Sequence, residues 1–429
     1  MFGPAVLVGC LLLGQTGISN DDIKLEVKQL VRKLDSTKKD VREAAEARLL
    51  EIGLKRPGML DLLPRPNQEG IAAEVLQRVA RVRQQVQRAQ AESAAEPSIV
   101  ELPGGSLPVS KVLAELQKQT GNRIVDVRAR FGHPVTDPVV RCPVGKTPFW
   151  QALDGILDQA GLSVYPFDQD GAIDVIARSE AQLPRSARAY YSGPFRVEPV
   201  RVVARRELRS SAYPSLVLTL EAAWEPRLRP ISLKQRMGDV KVLDDRGNRL
   251  SPDDPQAESE ALARHDAMAA EINIPLAFPA EPVKEMATVQ GSFQAIVPGK
   301  VETFRFTDLA GAKNVEQRIA AATVTLEEVR KSGENVWEVR MKLRFDDAGD
   351  ALESHRSWVL LNEAYLEENG KPIAFDSSET TQRTKNEIGM AYLFALDKPP
   401  SKKLAFVYKT PGMVVTRAFP YEFHHVKLP

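Results

Sequence analysis

Residues 98–178 decide how the middle of this chain folds. They run Ser98-Ile-Val-Glu-Leu102, Leu107-Pro-Val-Ser-Lys-Val-Leu-Ala-Glu-Leu-Gln-Lys-Gln-Thr-Gly121 and Arg123-Ile-Val-Asp-Val127. A second set follows: Pro138-Val-Val-Arg-Cys-Pro-Val144, Thr147-Pro-Phe-Trp-Gln-Ala-Leu-Asp-Gly-Ile-Leu-Asp-Gln-Ala-Gly161, and a strand pair over 162–167 and 172–177. In both long segments the apolar residues fall three and four apart, at Val109, Val112, Leu113 and Leu116, and at Phe149, Leu153, Ile156 and Leu157. That is the spacing of one buried helix face. Gly121 and Gly161 stand where a left-handed C-cap ends a helix. The segment reads as two consecutive β-α-β units.

This order, with Gln119-Thr120-Gly121 and the helix Phe149-Trp150…Leu153-Asp154, resembles the secretin and TonB short N-terminal (STN-like) domain of bacterial envelope proteins. The resemblance covers about a fifth of the chain. It implies an exported protein that works by protein–protein contact, and it names no partner. In that family the domain precedes a membrane barrel or pore. No such segment is read here, so the family's transport role is not implied.

The bulk numbers are those of a folded, multi-domain chain. At 429 residues about three domains are expected. A 43% hydrophobic and 27% charged composition suits a globular protein. The net charge of +1 gives no global signature for nucleic acid or an acidic membrane.

At the N-terminus, Pro4–Gly14 is a short apolar run, followed by the small-x-small site Gly17-Ile18-Ser19 and the charged start Asn20-Asp21-Asp22. This predicts a signal peptide over 1–19, too short to span a bilayer, although its first residues carry no Lys or Arg. Leu7-Val8-Gly9-Cys10 mimics a lipoprotein box, but three leucines follow Cys10 where such a protein turns polar. The expected location is the periplasm or cell envelope, without a transmembrane segment after signal removal. With Cys10 removed, Cys142 has no disulfide partner and reads as a small buried hydrophobe.

Residues 20–96 read as helices. Ile23, Val27, Leu30, Val31 and Leu34 form one stripe; Val41, Ala44, Ala45, Leu49 and Ile52 form the next, ending at Gly53. Asp40-Val-Arg-Glu-Ala-Ala45 with Leu49-Leu-Glu-Ile-Gly53 resembles a single HEAT-like repeat, which implies a helical hairpin. Solenoids need about three repeats, so this is no scaffold alone. A further helix from Gln68 to about Ala91 carries Arg78, Arg81, Arg83 and Arg88. A basic helix can bind anionic polymers, but no aromatics are interleaved for base stacking, and a solvated face is the simpler reading.

After residue 187 the period becomes two. Ser215–Trp224 and Val336–Phe345 alternate as half-buried strands do. They belong to an expected internal duplication: Val203 and Val324, Leu218 and Val339, and Trp224 and Phe345 lie 121 apart, while Leu243–Leu250 and Leu366–Ile373 lie 123 apart. Asn369-Gly370 favours a primed turn. Two tandem antiparallel β-sandwiches of Ig-like outline follow, with residues 255–272 predicted as a short helix or ordered loop. The expected organisation is a multi-domain α+β chain: signal peptide 1–19, helical segment 20–96, STN-like domain 97–180, first sandwich 187–283 and second sandwich 284–429.

Motifs for chemistry are scarce. Gly9–Thr16 and Gly145-Lys146-Thr147 are broken phosphate loops. There is no nucleophile elbow, no His-Glu-x-x-His helix and no Cys-x-x-Cys pair. The histidines are His133, His265, His355, His424 and His425; His265-Asp266 is the most ligand-like, and alternation puts one of His424 and His425 inward. Asp244, Asp245, Asp253 and Asp254, and separately Asp346, Asp347, Asp350 and Glu353, could hold calcium, but neither set has the twelve-residue loop spacing. Trp150, Trp224, Trp337 and Trp358 sit where core residues are expected. No residue is assigned a catalytic, cofactor-binding or metal-binding role. The expected function is a non-enzymatic binding or assembly module whose partner is an envelope protein or polymer. The alternatives are an extracytoplasmic hydrolase using Asp346, Asp347 and Glu353, and a carbohydrate-binding protein.

Overall fold

A computed structural model describes residues 20–429 except 66–67, 69, 166–170, 208, 210–213, 264–266, 348–350, 353–357 and 397–402. The fold is mixed α+β, with most strands in antiparallel sheets. The chain divides into two compact units, residues 1–86 and 87–429.

In the first unit, α1 (Asn20–Lys33), α2 (Lys39–Lys55) and the first part of α3 (Ala73–Ala94) bury one core around Val27, Leu34, Leu49, Leu60, Val82 and Val86. The sequence reading ended α2 at Gly53, but the helix continues to Lys55. Gly53 is buried inside it, and a Cβ there would stand 2.5 Å from Val86 Cγ2. The glycine marks close packing and not a cap. The arginines of α3 are largely engaged: Arg78 and Arg81 pair with Glu46 at 2.9 and 3.1 Å, Arg88 pairs with Glu92, and Arg83 is buried.

The second unit opens with the 98–178 segment. Its elements are β1 (Ile99–Glu101), β2 (Ser106–Pro108), α4 (Val109–Thr120), β3 (Ile124–Asp126), β4 (Val139–Arg141), β5 (Lys146–Pro148), α5 (Phe149–Ala160), β6 (Leu162–Tyr165) and β7 (Ile173–Ala177). The two halves repeat with an offset of 40 residues (99 and 139, 109 and 149) and pair crosswise, β1 with β5 and β2 with β4. Gln119 brackets the backbone of Glu101 at 2.9 and 3.0 Å; Gln159 brackets Arg141 in the same way at 2.9 and 3.1 Å. β7 breaks the symmetry by pairing parallel with β3 and antiparallel with β6. Val112, Leu116, Phe149, Leu153 and Ile156 fill the core between the helices and strands.

Next come β8 (Tyr190–Ser192), β9 (Phe195–Arg205), β10 (Ser215–Trp224), β11 (Ser232–Arg236), β12 (Lys241–Asp244), β13 (Glu258–Leu262), β14 (Ala269–Leu276) and β15 (Glu285–Pro298). The order β14-β10-β9-β8 makes one proximal sheet, and in the other β12 and β11 pair with successive stretches of β15. The described residues of 255–272 form no helix. Their Ala- and Glu-rich composition reads as helical, but β13 pairs with β11, where Lys234 and Arg236 meet Glu258 across the ladder at 3.5 and 3.1 Å. Cross-strand pairing overrides local propensity here.

The distal sheets contain β16 (Val301–Phe306), β17 (Lys313–Ile319), β18 (Ala322–Lys331), β19 (Val336–Phe345), β20 (Ala364–Glu368), β21 (Lys371–Ala374), β22 (Ser377–Arg383), β23 (Glu387–Ala395) and β24 (Leu404–Pro411). Their orders are β17-β18-β19-β23-β22 and β16-β24-β20-β21, around a core that includes Phe304, Met341, Phe345, Tyr392 and Phe406. Asn369 and Gly370 both take positive φ, 51° and 79°, in the turn from β20 to β21. β10 and β19 start and end 121 residues apart, and each lies between a β9- or β18-type hairpin partner and a later strand, β14 or β23.

The last strand, β25 (Val414–Lys427), returns to the proximal sheets and pairs along the whole of β15. Residues 285–298 and 414–427 therefore line the proximal core, with Phe293, Phe419 and Tyr421 beside Phe195. The distal strands occupy the chain between them. Pro298 pairs with Val414 and Val301 with Pro411; between these, Gly299 N–H donates to Met413 O and Gly412 N–H to Lys300 O, both at 2.8 Å. The ladder from Glu285 to Phe306 against Phe406 to Lys427 keeps one register throughout, a ribbon on the order of 70 Å long. Gln87, fully buried, donates to Glu302 at 2.6 Å beside the crossing.

Both His424 and His425 are exposed, against the expected alternation, because His425 takes φ 55° and interrupts the strand's two-residue period. They pair with Glu422 and Glu285. Hydrogen bonds from Lys427 and His425 hold the Glu285 carboxyl below its ordinary value of 4.5. A carboxyl lowered on folding stabilises above its unfolded pKa, and that contribution disappears as pH falls through the folded value. Glu285→Gln is therefore less stable than wild type at neutral pH, and the two urea midpoints converge as the pH falls through the lowered folded value. Midpoints that stay apart in acid would rule out this charge linkage.

Candidate binding cleft

Two buried polar clusters hold the 98–178 segment against the proximal sheets. In the first, Arg196 on β9 reaches Asp154 of α5 at 3.1 Å, with Glu221 and Glu198 at 3.6 and 3.9 Å, and its guanidinium stacks 4.6 Å over Trp150. Tyr191 donates to Asp154 at 3.0 Å, and the Trp150 indole N–H donates to Pro194 O at 3.0 Å. Burial pushes the Asp154 carboxyl up, against the pull of Arg196, Arg185 and Tyr191. In the second, the fully buried Glu225 accepts from Ser98 N–H and Oγ, Asn122 Nδ2 and Arg227 Nε at 2.8, 2.5, 3.0 and 2.7 Å. Arg227 also donates to the carbonyls of Ala94 and Glu96. These buried charges are paired, although Arg196 Nε has no hydrogen-bond partner among the described residues, and their role is to fix the frame.

A cleft of about 220 Å³ opens at the ribbon crossing. Its proximal wall is the turn after β10, where Trp224, Pro226, Pro230 and Ile231 are set by bonds from Trp224 N–H to Met268 O (3.0 Å) and from Ile231 N–H to Ile296 O (2.8 Å). Its distal wall is the helical turn Trp358–Leu361 with Asn362 and Glu363; the Trp358 indole donates to Ala351 O at 2.8 Å. Pro298, Val301 and Lys409–Pro411 of the ribbon form the remaining side. Trp224 and Trp358 are nearly buried, whereas Val301 and Leu361 are 56% and 55% exposed, so an apolar lip continues the floor into solvent.

The polar groups are few. Asn362 Nδ2 donates to Tyr408 Oη (2.8 Å) and Thr410 Oγ1 (3.1 Å), which leaves its Oδ1 as an acceptor. Lys409 bonds Glu363 at 2.7 Å, which holds its ammonium above the ordinary value. Arg229 is exposed on the lining and has no ion-pair partner among the described residues. An apolar floor with a few convergent polar groups at a junction of elements is the usual build of a binding site. No histidine or cysteine is among the described lining residues, and Glu363 is the carboxylate present.

The other residues singled out in the sequence lie elsewhere. Cys142 is buried, and burial raises its thiol pKa. Asp244 accepts the backbone N–H groups of Arg246 and Asn248 at 2.9 and 2.7 Å, closing its own turn. Asp346 pairs with Arg318. His265, Asp266, Asp350, Glu353 and His355 lie outside the described residues. Among the described residues no three His, Cys, Asp or Glu side chains converge for a metal, and no helix is long and apolar enough to cross a membrane. The cleft residues Arg229, Leu361, Asn362 and Lys409 escaped the sequence reading; the one local signal was Pro226-Arg-Leu-Arg-Pro230, an apolar-basic turn between prolines. No protein-family model, no curated protein and no solved structure matches this chain.

Proposed function

We propose that the protein is a non-enzymatic binding or assembly module exported to the bacterial cell envelope, and that it engages an envelope protein or polymer through the cleft at the ribbon crossing. In this reading residues 1–19 are a signal peptide, α1 and α2 a HEAT-like hairpin, and 98–178 an STN-like domain. The proximal and distal sheet pairs are then Ig-like sandwiches that arose by duplication. The equivalent placement of β10 and β19 supports the duplication.

The observation that carries the reading is the cleft itself: an apolar floor, an exposed Val301–Leu361 lip and few polar groups, mounted on a continuous ladder. Such a surface is preformed, so little ordering entropy opposes binding. The test is capture from the native envelope fraction with tagged wild-type protein and a Leu361→Asp variant. Leu361 is exposed, so the change leaves the core untouched. A component retained by wild type and reduced at least tenfold on the variant supports the proposal. Equal retention by both, or none by either, counts against it.

A further inference from the structure

We propose that the cleft takes the C-terminal residue of an extended peptide, with a large apolar side chain in the floor and its carboxylate on Arg229. This deepens the binding-module reading and rests on it. The volume of about 220 Å³ is roughly that of seven waters, room for one large side chain and not for a folded segment. The floor is apolar, with Ile231, Met268 and the edges of Trp224 and Trp358.

What selects the ligand is a pair of groups on the same lining that have bonding capacity left among the described residues. Asn362 has spent both N–H donors on Tyr408 and Thr410 and offers a carbonyl oxygen. Arg229 offers a guanidinium, while the neighbouring cation Lys409 is already neutralised by Glu363. One acceptor and one cation with no ion-pair partner among the described residues, beside an apolar hole, match a group carrying an N–H, a carboxylate and a hydrophobic side chain on one carbon. A peptide's last residue is that group, and capture of a terminal carboxylate is an established mode of peptide recognition. Arginine suits the task because its fork donates to both carboxylate oxygens at once.

The experiment titrates the purified full-length protein, followed by tryptophan emission and calorimetry, with three probes. These are acetyl-trialanyl-phenylalanine as the free acid, the same peptide as its C-terminal amide, and decanoate. The expected result is that the acid binds at least tenfold more tightly than the amide or decanoate. Arg229→Glu is expected to abolish the preference for the acid. Arg229 is exposed, so the fold survives the change, and circular dichroism checks this. Equal affinity for acid and amide, a preference that persists in Arg229→Glu, decanoate binding as well as the peptide, or no binding at millimolar peptide would each overturn the inference. If peptides fail while envelope capture still depends on Leu361, the binding-module reading stands and the peptide-terminus assignment falls. If capture fails as well, both fall.

Discussion

Replacing Arg196 by methionine lowers the unfolding free energy of the 87–429 unit by about 3–5 kcal/mol, the range for removing one partner of a buried ion pair. The guanidinium is 1% exposed and faces Asp154, Glu221 and Glu198. Without it, the Tyr191 hydroxyl is the one direct hydrogen-bond donor left to Asp154 among the described residues, and Trp150 loses the cation stacked on its face. The effect exceeds that of a methylene-count change because the cost is an uncompensated charge, not a cavity. Asp154→Asn in the same background therefore restores part of the loss, and the double-mutant cycle shows coupling above about 1 kcal/mol.

The pH dependence has a definite sign. Burial already raises the Asp154 and Glu221 carboxyls, and the missing cation raises them further. Raised carboxyls favour the folded state at low pH and lose that advantage as pH rises. The gap between wild type and Arg196→Met thus narrows from pH 7 toward pH 5. All four tryptophans lie between 150 and 358, so urea unfolding followed by their emission reports this unit alone. A variant as stable as wild type at pH 7 would show that the buried pair contributes no net stability.

Gly291→Val is expected to cost about 3 kcal/mol, from overpacking plus one lost buried hydrogen bond. Gly291 on β15 stands directly opposite Tyr421 on β25, whose ring lies across it. Even a Cβ would stand 2.3 Å from the Tyr421 hydroxyl oxygen and 2.5 Å from the ring carbon that carries it. That hydroxyl donates to Gln235 Oε1 at 3.0 Å inside the proximal core, so the ring cannot swing away without breaking the bond. Truncating the obstacle, as in Gly291→Val with Tyr421→Val, recovers stability relative to the single change. If the single variant unfolds at the wild-type urea midpoint, the ring does not need the bare backbone.

The contrast between these two sites shows what was legible. The helices α4 and α5 follow from local signals, an apolar spacing of three and four and a glycine at φ 72° or 65° after the last turn. Every residue needed lies within one element. Arg196 and Gly291 carry no local signal because their partners are distant in sequence: Asp154 lies 42 residues before Arg196, and Tyr421 lies 130 after Gly291. Alternation in 414–427 announces a strand but cannot say that its partner is β15. For the same reason the cleft was invisible, since Arg229, Asn362 and Lys409 meet only because the ribbon brings their segments together. Where local composition did mislead, at 255–272 and at Gly53, tertiary packing outweighed propensity.

The ribbon has a consequence for how the polypeptide is made. β15 is synthesised more than a hundred residues before β25, yet Phe293 of one stacks on Phe419 of the other in the proximal core. Until β25 arrives, the proximal sheets have an apolar edge uncovered, since Phe419, Tyr421 and Phe423 come from that last strand. The distal core, whose strands 301–411 are contiguous, can close first and bring both arms of the ribbon side by side. Assembly then proceeds as a zipper from the inside of the chain outward, and the earliest strands of the proximal core are among the last to be buried.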